Sequence, residues 1–394
     1  MLRSRLRSKW RGNAGGGLAS LIGFKAPLND AGAGIANILP TLGIVTTTYT
    51  RASTAWTKLI SGLWASVAAG QPRFCYIGRD TTPQTEGGYF SERTATQLIA
   101  VTAAIRDMRD VAWLPVNTSA FKSATGIDGV ANSASTVQLS SAPLGTLLQA
   151  FVGAAVARTF SAFVRRKAGT GTVRMQNGAS FLDITALINT VTYTRIQLTS
   201  TDLNPMYGFE MAGLLDEIEV DFNQFEAGVE ATSPIDTGGA TRSPDMLTYS
   251  IGASWSVTLG SAYCEVYINN TTGVASGFAK SYMSTTSAQL VASPNAVNQE
   301  SIAYLTDGGP NSATITGLTN SNNGFCKRAS SWGSGIAIVS GSQSATAAFD
   351  GSVAAGPLGV GCFASSGGQM NGIIRNPTIY RPQLSVSTLQ ALTP

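Results

Sequence analysis

Apolar and polar residues alternate at every second position along much of this chain, in short runs broken by Gly, Ser, Thr, Asn and Pro. That period places successive side chains on opposite faces of a β-strand, and the breaks supply turns. Strands are predicted at FSAFVRR from Phe160, TYTRIQL from Thr192 and YGFEMAG from Tyr207, with a hairpin at RRKAGTGTVRM. In LDEIEVDF, residues 215–222, Ile218, Val220 and Phe222 share one face, and Glu217, Glu219 and Asp221 the other. A second set follows residue 249. Trp255, Val257 and Leu259 share one side of a strand, and Cys264, Val266 and Ile268 oppose Tyr263, Glu265 and Tyr267. Further strands are expected over residues 301–305, 313–318, 335–339, 345–349 and 358–363. Ser385 is placed to cap a short final helix docked by Leu389 and Leu392, although Thr388 stands where a capping box would have Glu.

So many short strands imply an all-β fold of two antiparallel, jelly-roll-like β-sandwich domains in tandem, with an extended N-terminal arm. The expected division is an arm over 1–48, an extended connecting segment over 49–106, a first sandwich over 107–236, a linker over 237–248, and a second sandwich over 249–394. The junction QFEAGVEATSPIDTGGATRSPDMLT, residues 224–248, closes one strand run and opens the next. Pro234 and Pro244 bracket Gly238 and Gly239 there, so the chain turns between two rigid points. Arg242 and Asp245 are close enough for a local ion pair.

Composition sharpens this picture. With 394 residues, 12% charged and 43 glycines, the chain has apolar content for two cores and many tight turns. It contains no histidine, which removes His-based nucleophile systems and most zinc sites. The four cysteines, Cys75, Cys264, Cys326 and Cys362, form no Cys-x-x-Cys pair and read as buried free thiols. The net charge of +4 resides in Arg3, Arg5, Arg7, Lys9 and Arg11; without these five, 21 basic residues face 22 acidic ones. Such an arm suits an acidic partner surface or nucleic acid, and Leu18, Leu21, Ile22 and Phe24 give it something to bury. No apolar run is long enough to span a bilayer, and glycines break the stretch that a signal peptide would need.

Three carboxylates in alternate positions, Glu217, Glu219 and Asp221, admit three readings. They are the charged face of an edge or outer strand, part of a calcium or ligand contact, or an acid pair for glycoside hydrolysis. Alternation alone explains them, and no acid pair stands above that background. No catalytic residue, cofactor or metal is assigned.

Several strings resemble a family of phage and prophage virion proteins. They are TRASTA at residues 50–55, PRFCY at 72–76, ERT at 92–94 followed by Leu98, and VRRKAGTGTV at 164–173. The junction strings EAGVEATSPI from Glu226 and TRSPD from Thr241 also match, with Ser243 and Pro244 in place of the commoner Ala-Ala. The closing NGIIRNPTIYRPQLS from Asn371 completes the match. The resemblance covers residues 49–394 and implies a carbohydrate-binding-module-like jelly roll followed by a concanavalin-like, laminin-G-like sandwich. It implies a non-enzymatic virion structural protein (a tail fibre, head fibre or capsid-surface decoration protein) assembled in the host cytoplasm. Its expected partners are capsid, portal or tail proteins and further copies of itself, as a trimer in fibres, rather than nucleic acid or membrane. Arg3, Arg5, Arg7, Lys9, Arg11, Leu18, Leu21 and Phe24 are the expected anchor. Tyr263, Tyr267, Tyr282, Tyr304 and Trp332 are the expected platform for a host surface glycan, because a sugar has an apolar face that stacks on aromatic rings. The alternative is a purely structural virion protein making protein contacts alone.

Overall fold

A computed structural model describes residues 22–26, 28, 46–250 (79 and 142 apart), 252, 256–268, 280–285, 288–293, 300–306, 311–319, 324–349, 351–353, 356–362 and 369–394. The protein is all-β, with antiparallel sheets stacked as sandwiches. The first sandwich lies where the alternation places it. Its front sheet runs in the order Thr194–Ser200, Arg158–Ala168, Glu217–Ala227, Ala134–Leu139 and Thr118–Ala124. Its back sheet runs Ser180–Asp183, Thr172–Asn177, Met206–Ala212, Leu144–Ala150 and Leu114–Val116. Between them Phe160, Val164, Met175, Leu147, Tyr207, Phe209, Ile218 and Phe225 form the core. Tyr207 stacks on Phe225 with ring centroids 4.2 Å apart.

The second sandwich draws on both ends of the chain. Its eight-stranded sheet places Gly372–Tyr380 between Gly260–Ile268 and Gly87–Ser91, with Phe74–Tyr76 beyond, and Ile22–Lys25 also pairs with Gly372–Tyr380. In its seven-stranded sheet, Thr46–Thr50 pairs with Met246–Ser250 over five residues. Phe74, Tyr89, Leu247, Tyr249, Cys264, Val266, Tyr282, Trp332 and Ile374 share one core. The segment expected as a connector therefore contributes strands to the C-terminal sandwich, and the first sandwich is an insertion within that domain. Local alternation identifies strands but not partners nearly 200 residues away, so it cannot show that residues 46–50 belong with residues 246–250.

The connector has a second role. Between Thr46–Thr50 and Phe74–Tyr76 it forms the hairpin Ala55–Lys58 and Trp64–Val67, which covers the part of the insert's front sheet around Phe163 and Phe222 and leaves the Phe121 end open. Trp56 packs edge-on against Phe222 at 4.7 Å and Trp64 against Phe163 at 5.3 Å. Chain entry and exit are tied together where Ala95–Thr96 pairs with Thr241–Arg242.

Two expectations need correction. The strand carrying the carboxylates is the middle of five, not an edge or outer strand. Its alternation is also interrupted: the register against Arg158–Ala168 shifts between Ser161 and Phe163, and Phe222 takes a positive φ of 47°. This bulge buries Asp221 and Phe222 together. Strand pairing at Gly260 starts after Val257 and Leu259, so those two residues lie in a bend. Trp255 lies outside the described residues.

Other expectations hold. Cys264 and Val266 face the core while Tyr263 and Tyr267 face away from it. All four cysteines are free thiols, with Cys75, Cys264 and Cys362 buried. The final helix, Val386–Leu392, is capped by Ser385, whose Oγ accepts from the Thr388 N–H at 3.2 Å, and Leu389 is buried beneath it.

Because the C-terminal sandwich needs Thr46–Thr50, Phe74–Tyr76 and Gly87–Ser91, a fragment of residues 246–394 is expected to lack a cooperative thermal transition by circular dichroism. The chain from residue 22 onward should unfold cooperatively. A fragment that melts cooperatively as a monomer would contradict this topology.

Candidate functional site

The residue strings that stood out in the sequence converge on one buried ionic cluster between the sandwiches. Asp245 is its centre. Its carboxylate pairs with Arg73, lies 3.4 Å from Arg51 Nε, and accepts the Tyr49 hydroxyl at 2.8 Å and the Glu92 N–H at 3.1 Å. Arg73 reaches on to Glu92 Oε2 and the Trp56 carbonyl, each at 2.9 Å. Arg242 Nη1 lies 3.5 Å from Glu92 and 3.6 Å from Asp245, so the expected local pair is one edge of a larger array. From the insert side, the Ser233 N–H and hydroxyl both donate to Glu92, at 2.7 and 2.5 Å. Glu226 holds the same loop through the Thr232 N–H and hydroxyl.

Arg51, Arg73, Glu92, Arg242 and Asp245 are all buried. Burial alone would raise the Glu92 carboxyl, but Arg242, Arg73 and the Ser233 hydroxyl bring it from 4.5 to about 2. Arg51 Nη2 donates to the carbonyls of Ala68 and Gln71, each at 2.8 Å, while its Nη1 is buried without a hydrogen-bond partner. With no solvent-facing member, the cluster has no route for a substrate; its chemistry is that of a joint.

The row of carboxylates is likewise absorbed into ion pairs. Asp221 binds Arg106 through both oxygens, at 2.7 and 2.9 Å, and accepts the Ile127 N–H. Glu219 pairs with Arg165, and Glu217 pairs with Lys167 at 2.9 Å while accepting from Gln138 at 3.0 Å. Burial raises the Asp221 carboxyl above its ordinary value despite Arg106, but Asp221 is enclosed, and each of the three carboxylates is held by a cation rather than aimed at an open cleft. Among the described residues no group of three or more Cys, Asp or Glu side chains converges as a metal site.

The expected aromatic platform is not assembled. Tyr282 and Trp332 are fully buried in the core, so neither presents a ring face to a sugar. Tyr263 does point outward, but Leu384 and Leu389 of the C-terminal segment cover it, and its hydroxyl donates to Glu265. Tyr267 packs among Phe90, Ile373 and Phe325. The Tyr304 backbone pairs with Ala292, and its side chain lies outside the described residues. Beside the C-terminal helix a groove of about 400 Å³ is lined by Ser331, Ser334, Thr346, Gln383 and Ser385, without an aromatic residue. Of the expected anchor, Arg3, Arg5, Arg7, Lys9, Arg11, Leu18 and Leu21 lie outside the described residues. Phe24 occupies the strand Ile22–Lys25, with its backbone opposite Ile379.

The most exposed aromatic side chains among the described residues are Phe121 and Phe181, both on the insert. Phe121 ends a cross-strand row on the front sheet that continues through Thr136, Glu219 and Arg165. Arg165 lies over the Tyr193 ring at 4.6 Å. The adjacent row is Ser119, Gln138 and Glu217, joined by Lys167. Thr136 and Glu219 are buried within the first row, whereas in the second row, next to Phe121, Gln138 and Glu217 are half-buried and Lys167 is exposed, an arrangement in which the ring can stack a pyranose face while the second row bonds its hydroxyls. The signal in the sequence was a bulky aromatic at an outward register in TSAFKSA, which alternation alone does not separate from a core residue.

No protein-family model matches the chain, and no curated protein matches it. Among solved structures it is similar to the N-terminal tandem CBM22 domains of Xyn10C from Paenibacillus barcinonensis, at 8% identity and a TM-score of 0.22. That similarity covers 73% of this chain and 96% of the other.

Two outcomes follow from the ionic cluster. Asp245→Ala leaves buried guanidinium groups uncompensated and is expected to cost about 3–5 kcal/mol in denaturant unfolding. A loss below about 1 kcal/mol would show that the cluster is not a joint. Glu92 titrates lower when folded than when unfolded, so its contribution is complete above pH 4.5 and is lost as pH falls toward about 2. Glu92→Gln should flatten that part of the stability–pH curve; an unchanged slope would contradict the assignment.

Proposed function

We propose that this chain is a non-enzymatic structural protein of a phage particle that holds its inserted sandwich in a fixed orientation and offers the front sheet to host surface glycans. The observation that carries this reading is the convergence of the virion-type strings on one buried joint. Residues 50–55, 72–76, 92–94, 226–235 and 241–245 are far apart in sequence, yet they supply Arg51, Arg73, Glu92, Glu226, Ser233, Arg242 and Asp245 to it. A joint of this kind suits a displayed module, which needs a defined direction more than internal motion. The basic residues Arg3, Arg5, Arg7, Lys9 and Arg11 supply charge for docking on an acidic particle surface.

The glycan part of the proposal rests on the exposed Phe121 ring and the neighbouring row of Ser119, Gln138 and Glu217 with Lys167. A flat strip with one exposed ring binds weakly in a single copy and gains from many copies on one particle. The paired state of Glu217, Glu219 and Asp221 supports binding over hydrolysis.

Two measurements test this reading. Antibody raised against the full chain should label purified phage particles from the source culture in immunogold microscopy; clean particles carrying no label sink the virion assignment. The full chain immobilised at high density should retain bacterial surface glycans on an array. The exposed-ring substitution Phe121→Ala should reduce that retention by about 3- to 10-fold. Absence of binding at any density, or binding indifferent to Phe121, removes the glycan part.

A further inference from the structure

We propose that the outer face of the insert's back sheet is the surface on which two copies of this chain pack face to face. This goes beyond the glycan reading, which uses the opposite sheet. Strand register defines the face. One row crosses all five strands as Phe181, Gln176, Gly208, Leu148 and Leu114, and the next as Asp183, Arg174, Glu210, Thr146 and Val116. A third, shorter row holds Thr172, Ala212 and Leu144. The residues between these rows, among them Met175, Phe209 and Leu147, point into the core, so the rows themselves point out.

The composition of the face is unusual for a surface left to water. One flank is apolar and half exposed, with Leu114 at 48%, Val116 at 55% and Leu144 at 48%; on the other, Phe181 at 50% stands beside exposed Asp183. Its middle carries the pair Arg174–Glu210, at 3.1 Å. In the same central strand, Gly208 has a φ of 147°, and a Cβ there would lie 2.2 Å from the Leu147 carbonyl oxygen. No larger residue fits, which leaves a notch between Gln176 and Leu148. The front sheet meets the same problem by another route, where the hairpin carrying Trp56 and Trp64 covers its apolar side chains. Among the described residues no such cover lies on the back sheet's flanks.

A second copy is the occupant that these features fit. A two-fold contact requires a self-complementary patch. Here opposite charges stand near the centre and an apolar side chain is available on each flank, so the rotation sets Arg174 against Glu210 of the partner subunit and brings Phe181 of each copy toward the apolar flank of the other. Thirteen positions at about 4.8 Å between strands and about 6.8 Å between rows give about 400 Å² in plan, about half of the roughly 800 Å² per partner of a standard interface, so the contact is a weak one whose occupancy depends on concentration. Strand addition at the Leu114–Val116 edge is disfavoured, because Pro115 lacks an N–H there.

The test is sedimentation velocity and light scattering on the full chain across a concentration series. A dimer, or a higher oligomer that contains this contact, is expected. Leu114→Glu with Val116→Glu should lower association at least tenfold while leaving the circular dichroism spectrum and thermal transition unchanged, since both side chains are exposed. Arg174→Glu should do the same, and adding Glu210→Arg should restore association. Ile60→Glu, on the exposed hairpin tip, should have no effect. A full chain that stays monomeric at every concentration, or an oligomer that survives the face substitutions, overturns the proposal.

Discussion

The buried contact between Asp245 and the guanidinium groups of Arg73 and Arg51 is the constraint on which the rest of this structure depends. Taking such charges out of water is costly, and their mutual attraction recovers that cost only when the geometry is satisfied on all sides. The cluster goes most of the way by recruiting Glu92 from one strand end, Ser233 from the loop leaving the insert, and Tyr49 from the first strand of the seven-stranded sheet, leaving Arg51 Nη1 and the Nε and Nη1 of Arg242 buried without a hydrogen bond. Removing Asp245 takes away a carboxylate that Arg51, Arg73 and Arg242 all share. A cluster of this kind adds less to stability than an apolar core of the same volume, but it accepts one arrangement of the two sandwiches and penalises others. That selectivity explains why Arg, Glu, Ser and Asp occupy positions where a core would have Leu and Val.

Much of the fold was legible because a half-buried strand must alternate. Strands such as Arg158–Ala168, Met206–Ala212 and Gly260–Ile268 lie where the pattern places them. Partnership was not legible, since nothing local in Thr46–Thr50 announces that its neighbour is Met246–Ser250. The bulge at Phe222 was hidden for a related reason: a two-residue period read through LDEIEVDF has no mark where one extra residue enters. The carboxylates were visible as a row, and their cations were not, because Arg106 and Arg165 approach from other segments.

The aromatic residues show how far alternation reaches at a site. It correctly turned Tyr263 and Tyr267 away from the core, yet outward from a sheet is not the same as open to solvent. The C-terminal helix lies over one tyrosine, and Phe325 with Phe90 encloses the other. Phe121 and Phe181 follow the same rule of alternation without such a covering, on opposite faces of one module. The insert therefore has two differently furnished sides, one polar with a single ring and one apolar along one flank, while its base is fixed by the ionic joint.

The topology of the insertion also sets an order of events during synthesis. Tyr49 and its hydroxyl partner Asp245 are 196 residues apart. Thr46–Thr50, Phe74–Tyr76 and Gly87–Ser91 leave the ribosome early and have no complete sheet to join until the strands after residue 246 appear. The insert has both of its sheets in hand much sooner and closes first, since domains fold as units when their last strand is available. When it closes, it brings Ala95–Thr96 beside Thr241–Arg242 and so delivers the waiting strands to their late partners. The inserted module thus serves as the template on which its own host domain is completed.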